Sequence, residues 1–281
     1  MGATSAAHGR VIAMLKSQSV PDNIDWEREE EFTYTDALTL PQWGWEFLRR
    51  NPDYREVWEN AGGHERFALR EASTIVERQR PTPFGEWGLM HECDPQLDCR
   101  SSVVFWNPDL CERVLRLNAL PVEEGNGCEF YLSDLVCRSI LLRTGDGAQH
   151  VLFRDGCYAL QLRVEGESLA KPVHLMAAQP LDRDSDQFRS YQCFVDLLVS
   201  SRLLPSHFPP TYLGGRLKCV LRALDGDLAG ASQRRIAVML FGQERVDNEW
   251  SAVGRPLRDK VRRAIHRGHD LTRGGYRTLI R

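Results

Sequence analysis

The chain has 281 residues, 42% of them hydrophobic and 27% charged, with a formal net charge of −3. That length and apolar content suffice for one large core or two modest ones. No run approaches the roughly 18 consecutive apolar residues of a membrane span, and the opening MGATSAAHGRVIAMLKSQSV has too short an apolar stretch for a secretory signal, so a cytoplasmic protein without a membrane partner is expected.

In chain order, residues 1–25 read as a mobile lead-in. LPQWGWEFLRRNPDYREVWENAGG then predicts two helical pieces split at Asn51-Pro52, because the residue before proline leaves the α region and proline's fixed φ suits a first helical turn. Trp43, Phe47 and Leu48 share one face, and Tyr54, Val57 and Trp58 the next. So much apolar surface on a short helical pair must pack on the rest of the chain or on a partner. A helix over about 64–79, with Phe67, Leu69, Ile75 and Val76, precedes a loop-like stretch at 81–102. SSVVFW reads as a strand, and 109–118 is ambiguous.

The eight cysteines include no Cys-x-x-Cys pair, so neither a disulfide framework nor a paired-knuckle zinc site is expected. His91, Cys93, Cys99 and Cys111 form the one cluster to weigh as zinc ligands. Their spacing fits no paired-knuckle pattern, and small buried thiols are the preferred reading, with no metal or cofactor.

From about residue 130 the apolar period becomes two. VCRSILLR, QHVLFR, CYALQLRVEG and PVHLMAA predict short strands, and Asp155-Gly156 predicts a hairpin turn because both residues tolerate positive φ. His150 and His174 lie in these strands with no nucleophile beside them. There is also no Gly-rich phosphate loop or nucleophile elbow, so an enzyme is not expected. A helix from Asp186 to about Leu203 carries a stripe of Phe188, Tyr191, Val195 and Leu198.

The last third is basic. Residues 202–281 hold 16 Lys+Arg against 7 Asp+Glu, a net +9, whereas residues 1–201 hold 20 against 32, a net −12. Such a basic module on an acidic body suits a polyanionic partner. RLKCVLRALDG places Leu217, Val220, Leu221 and Leu224 on one helical face ending at Gly226. Ser232 caps QRRIAVMLFG, in which Ile236, Ala237, Leu240 and Phe241 face inward before a turn at Gly242. A third helix enters through Pro256 with Leu257, Val261, Ala264, Ile265 and Gly268 on its apolar arc, and ends near Gly274-Gly275. Arg258, Lys260, Arg262, Arg263 and Arg267 occupy much of its other side, where the planar guanidinium fork can hold phosphate oxygens or a guanine edge.

LRALDGDLAGASQRRIAVMLFGQERV together with LRDKVRRAIHRGHDLTRGGYRTLIR resembles the C-terminal domain of a proteobacterial family carried on integrative and conjugative elements, and WGWEFLRRNPDYREVW resembles the N-terminal domain that accompanies it in FseA-type excision activators. The patterns predict an α+β protein with an N-terminal helical module, a small antiparallel β meander and a C-terminal helical module, and the resemblance implies that the last is a helix-turn-helix variant. It implies a transcriptional activator that binds double-stranded promoter DNA, recruits RNA polymerase at an excisionase promoter and is held in check by an antiactivator protein of the same fold family. The alternative is a protein-binding antiactivator that keeps the fold without the DNA contact. The expected divisions are 1–25, 26–120 (aromatic-rich interaction domain), 121–185 (meander) and 186–281 (basic module, expected to fold alone). The resemblance assigns DNA contacts to Gln233, Arg234, Arg235, Arg258, Arg262, Arg263 and Arg267, with Lys260 beside them. Aromatic and Arg enrichment assigns protein interaction to Trp43, Trp45, Phe47, Arg49, Arg50 and Tyr54. One departure stands out: thirteen residues separate Gly242 from Pro256, where a turn of about three or four is usual. Either a short helix around Asp247–Val253 or the longer basic helix would then be the recognition element.

Overall fold

The computed structural model describes residues 24–61, 83–122, 129–251 and 256–281, and the backbone of 73–78. In chain order the helices are α1 (Leu40–Leu48), α2 (Pro52–Asn60), α3 (Asp186–Ser200), α4 (Gly214–Leu228), α5 (Gln233–Phe241), α6 (Gln243–Glu249), α7 (Pro256–Asp270) and α8 (Arg277–Ile280). The strands are β1 (Ser73–Arg78), β2 (Leu115–Pro121), β3 (Arg138–Thr144), β4 (Gln149–Asp155), β5 (Tyr158–Gly166) and β6 (Val173–Ala177). The expected lead-in up to residue 23 and the 64–72 part of the expected helix lie outside the described residues.

The chain divides into two compact units. One comprises Met1–Gly63, Asp94–Asp98 and Pro210–Leu279, and the other His64–Cys93, Cys99–Pro209 and Ile280–Arg281. The grouping cuts across the divisions drawn from the sequence: α1 and α2 share a unit with α4 to α7, while α3 goes with the sheet.

The second unit is built on a six-stranded sheet in the order β1-β3-β4-β5-β2-β6. It is mixed, because β1 pairs with β3 and β2 with β5 in parallel, and the remaining pairs are antiparallel. An α+β class is consistent with this; a small antiparallel meander confined to 121–185 is not. Residues 73–78, expected at the end of a helix, form β1, and the ambiguous 109–118 stretch leads into β2. The Asp155-Gly156 turn joins β4 to β5 with Gly156 at φ +60°. SSVVFW is not a ladder strand. Val103 and Phe105 lie on one sheet face against Ile140, Leu142 and Leu152, and the backbone of Trp106 bonds the side chain of Gln161 at 2.9 and 2.8 Å. Among the described residues its backbone pairing is limited to one antiparallel bridge, Trp106 with Leu89, beside which the Met90 amide donates to the Phe105 carbonyl at 2.9 Å, so the alternation of SSVVFW serves mainly packing.

On the other face α3, capped by Ser185, buries Cys193, Phe194 and Leu197 against Phe130 and Phe153. The expected stripe points outward instead, with Tyr191, Val195 and Leu198 36%, 38% and 43% exposed. Apolar residues cover two arcs of this helix, so periodicity alone does not choose between them.

Within the sheet, β4 carries His150, buried beside Arg163 of β5. Burial, reinforced by the Arg163 charge, pushes its imidazole down to about 4, whereas the unfolded chain titrates near 6.5. The unfolded state therefore takes up a proton that the folded state refuses, and stability is complete above pH ~6.5 and falls as pH drops towards 4. The expected outcome is a melting temperature that declines between pH 7 and 4.5, with a shallower decline in His150→Gln; parallel declines would mean that His150 does not set the acid limit.

Candidate nucleic-acid interface

The first unit begins with a segment that lies on α4. Phe32 is buried beneath the guanidinium of Arg222, 5.8 Å from its ring centroid, and Trp26 sits over Gly226, where an added Cβ would come within 3.0 Å of the indole and 2.9 Å of Ile236. Gly226 is therefore a close-approach point inside α4 and does not end the helix, as its position in the sequence had suggested. α1 opens on a capping box of Thr39 and Gln42. α2 opens on Asn51, whose side chain accepts from the Tyr54 amide at 3.0 Å, with Pro52 in the first turn.

These short helices end in a buried charge network. Arg50 donates through Nε to Asp225 Oδ1 at 2.6 Å and through Nη2 to Asp225 Oδ2 at 2.8 Å, and its Nη1 reaches Glu46 Oε2 at 3.0 Å. Arg49 donates to Glu46 at 2.8 Å and to the carbonyls of Pro95 and Gln96 at 3.2 Å. Burial opposes the Arg50 charge, but the carboxylates of Asp225 and Glu46 outweigh it and raise its pKa. Trp45 donates to the Leu97 carbonyl at 3.0 Å and meets Tyr54 edge-on, while Trp43 stacks on Phe47. Trp43, Trp45, Phe47, Arg49, Arg50 and Tyr54 are all buried. They form a core, and this corrects the expectation of an interaction surface: the aromatic face is covered by the chain itself, with Trp45 held to the 95–97 loop and α1 packed on the turn after α7.

α5, capped by Ser232, passes straight into α6 across Gly242 at φ +87°. The thirteen residues between Gly242 and Pro256 do include a short helix, but it lies at Gln243–Glu249, N-terminal to the expected Asp247–Val253, with Val246 as its buried residue. α7 buries Leu257, Val261, Ala264, Ile265 and Gly268, as its apolar arc requires. At Gly268 an added Cβ would lie 2.8 Å from Leu224 Cβ, so α4 and α7 approach closely.

The eight sequence-assigned DNA contacts divide into two groups. On α5, Gln233 is half-buried and the two arginines are engaged: Arg234 pairs with Asp247 at 2.5 Å, and Arg235 with Glu27 at 2.7 and 3.0 Å. On α7, Arg258, Lys260, Arg262, Arg263 and Arg267 are exposed. Arg262 meets Asp259 at 3.1 Å, and the Lys260 ammonium lies 4.7 Å from the Phe241 ring centroid. Arg258, Arg263 and Arg267 have no ion-pair partner among the described residues. With a rise of about 1.5 Å per residue, positions 258 to 267 span about 14 Å of helix. α6, by contrast, carries Glu244, Asp247 and Glu249 against Arg245.

Sequence reasoning overlooked Glu46, Asp225, Glu27 and Asp247. The usable signal was Asp225, a lone carboxylate within the apolar stripe of α4. Among the described residues no group of three or more His, Cys, Asp or Glu is placed to hold a metal ion, and no helix is long and apolar enough to cross a membrane.

α7 thus exposes its arginines on the side opposite a buried apolar arc. Residues 179–281 match the RovC family model described as "T6SS, Transcription factor, DNA binding domain", and residues 25–91 match a "Proteobacterial transcriptional regulator-like domain". No curated protein matches the chain. The two family matches support a DNA-binding transcription factor.

Removing one partner of a buried pair strands the other charge, at a cost of about 3–5 kcal/mol, whereas replacing both by apolar groups of similar volume is far milder. Arg50→Met is therefore expected to lower unfolding stability by that amount and Arg50→Met/Asp225→Leu by much less. Additive losses in denaturant titrations would show that the pair is not coupled.

Proposed function

We propose that the chain is a transcription regulator that lays α7 along duplex DNA, with Arg258, Arg262, Arg263 and Arg267 on phosphate oxygens or base edges. The observation that carries this reading is the unequal engagement of the arginines. Those of α5 are neutralised by Asp247 and Glu27, while three on α7 lack an ion-pair partner among the described residues. α6 is the poorer candidate for the groove, because its acids would face phosphate. Gln233, Arg234, Arg235 and Lys260 become supporting residues in this reading.

In its finer form the proposal makes the protein an activator of the excision and transfer genes of an integrative and conjugative element, recruiting RNA polymerase at an excisionase promoter and restrained by an antiactivator of related fold. The support for this form is the resemblance of the two quoted segments to FseA-type activators. Polymerase recruitment would use a surface other than the buried aromatic set. The matched DNA-binding family is described by a T6SS transcription factor, so a genome-wide binding map, expected to peak at an excisionase promoter, decides which genes are regulated.

Each phosphate neutralised contributes about −0.9 to the slope of log affinity against log salt. Arg262→Ala/Arg263→Ala is expected to weaken DNA binding and flatten that slope by about 1 to 2, with thermal unfolding nearly unchanged because both side chains are exposed. A full chain whose affinity for DNA is negligible even at low salt would overturn the proposal and favour the antiactivator reading.

A further inference from the structure

The end of α7 poses a question of backbone accounting. The last carbonyls of a helix have no partner within it, and α7 runs into a turn over Leu271–Gly275, in which Gly274 adopts φ +126° and the Tyr276 amide returns to the Leu271 carbonyl at 2.9 Å. The neighbouring Thr272 is buried, and its hydroxyl donates back to Gly268 O at 2.9 Å. Its carbonyl accepts at 3.0 Å from Asn51 Nδ2, on the α1–α2 corner 221 residues earlier. α1 itself packs against this turn.

Asn51 is thus bifunctional. Its Oδ1 caps α2 and its Nδ2 caps the far end of α7, both from a buried position next in sequence to Arg50, which grips α4. We infer that Asn51 is a positioning residue for DNA binding: it holds the C-terminal end of α7, and with it Arg267 and Arg273, in the orientation that meets the duplex. The α1–α2 corner then becomes the route by which the N-terminal regulator-like region sets DNA affinity. This inference rests on the reading of α7 as the DNA-facing helix.

The two jobs of Asn51 are chemically separable. Ser retains the cap of α2 but carries no amide donor that reaches the Thr272 carbonyl, while Ala loses both functions. In the full chain, Asn51→Ser is expected to keep the wild-type melting temperature within a few degrees, yet to bind a mixed-sequence DNA duplex about fivefold or more weakly. The carbonyl carbon resonance of Thr272 should shift in this variant as it loses its donor. The inference is overturned if Asn51→Ser binds DNA as the wild type does, or if affinity falls only in Asn51→Ala together with stability, since the cap alone would then matter. The Thr272 resonance reads the tether without DNA, so wild-type chain that failed to bind the duplex would refute the DNA reading separately.

Discussion

The bidentate contact between Arg50 and Asp225 is the constraint on which the first unit depends. Glu46, Arg49, Arg50 and Asp225 carry two charges of each sign, all buried. No member can be left alone without a penalty comparable to a large share of a domain's net stability, about 5–15 kcal/mol. Because Arg50 comes from the start of the chain and Asp225 from α4, the pair obliges two segments separated by 175 residues to fold together. The apolar contacts follow the same plan: Trp26 on Gly226, Phe32 beneath Arg222 and Leu224 on Gly268 leave little room for alternatives.

This arrangement changes the meaning of the two family matches. Each matched region is divided between the two units: its parts at 25–61 and 210–279 share the first, while the rest of each, within 64–91 and 179–209, belongs to the second. α4 packs against α7, α5 and the segment 29–37, and α1 packs against the turn that follows α7. The backing of α7 is thus supplied partly from the N-terminal segment. Surface pairs such as Arg235 with Glu27 and Lys218 with Asp36 add modest, salt-sensitive support.

Much of the local structure was legible in the sequence. Asn51-Pro52, Ser232, Gly242 and the five inward residues of α7 behave as their chemistry requires, because caps and helical periodicity are local properties. Long-range pairing was not legible. Nothing in WGWEFLRR alone distinguishes an aromatic face covered by the chain itself from one offered to a partner, since both need the same residues. Two strands were hidden for a related reason: β1 and β2 each pair in parallel with distant strands, and neither has a hairpin turn to announce it. For the candidate interface, composition located the basic helix, but only the placement of Glu27 and Asp247 separated engaged arginines from available ones.

The most direct test of the central claim is hydrogen exchange on a chain that starts at His64 and so lacks α1 and α2. If the N-terminal segment is part of the DNA-binding unit, amides of α4 and α7 should lose protection and DNA affinity should collapse, while β3, β4 and β5 exchange as in the full chain. Wild-type protection of α4 and α7 in the shortened chain would contradict the account, and the basic module would then be autonomous.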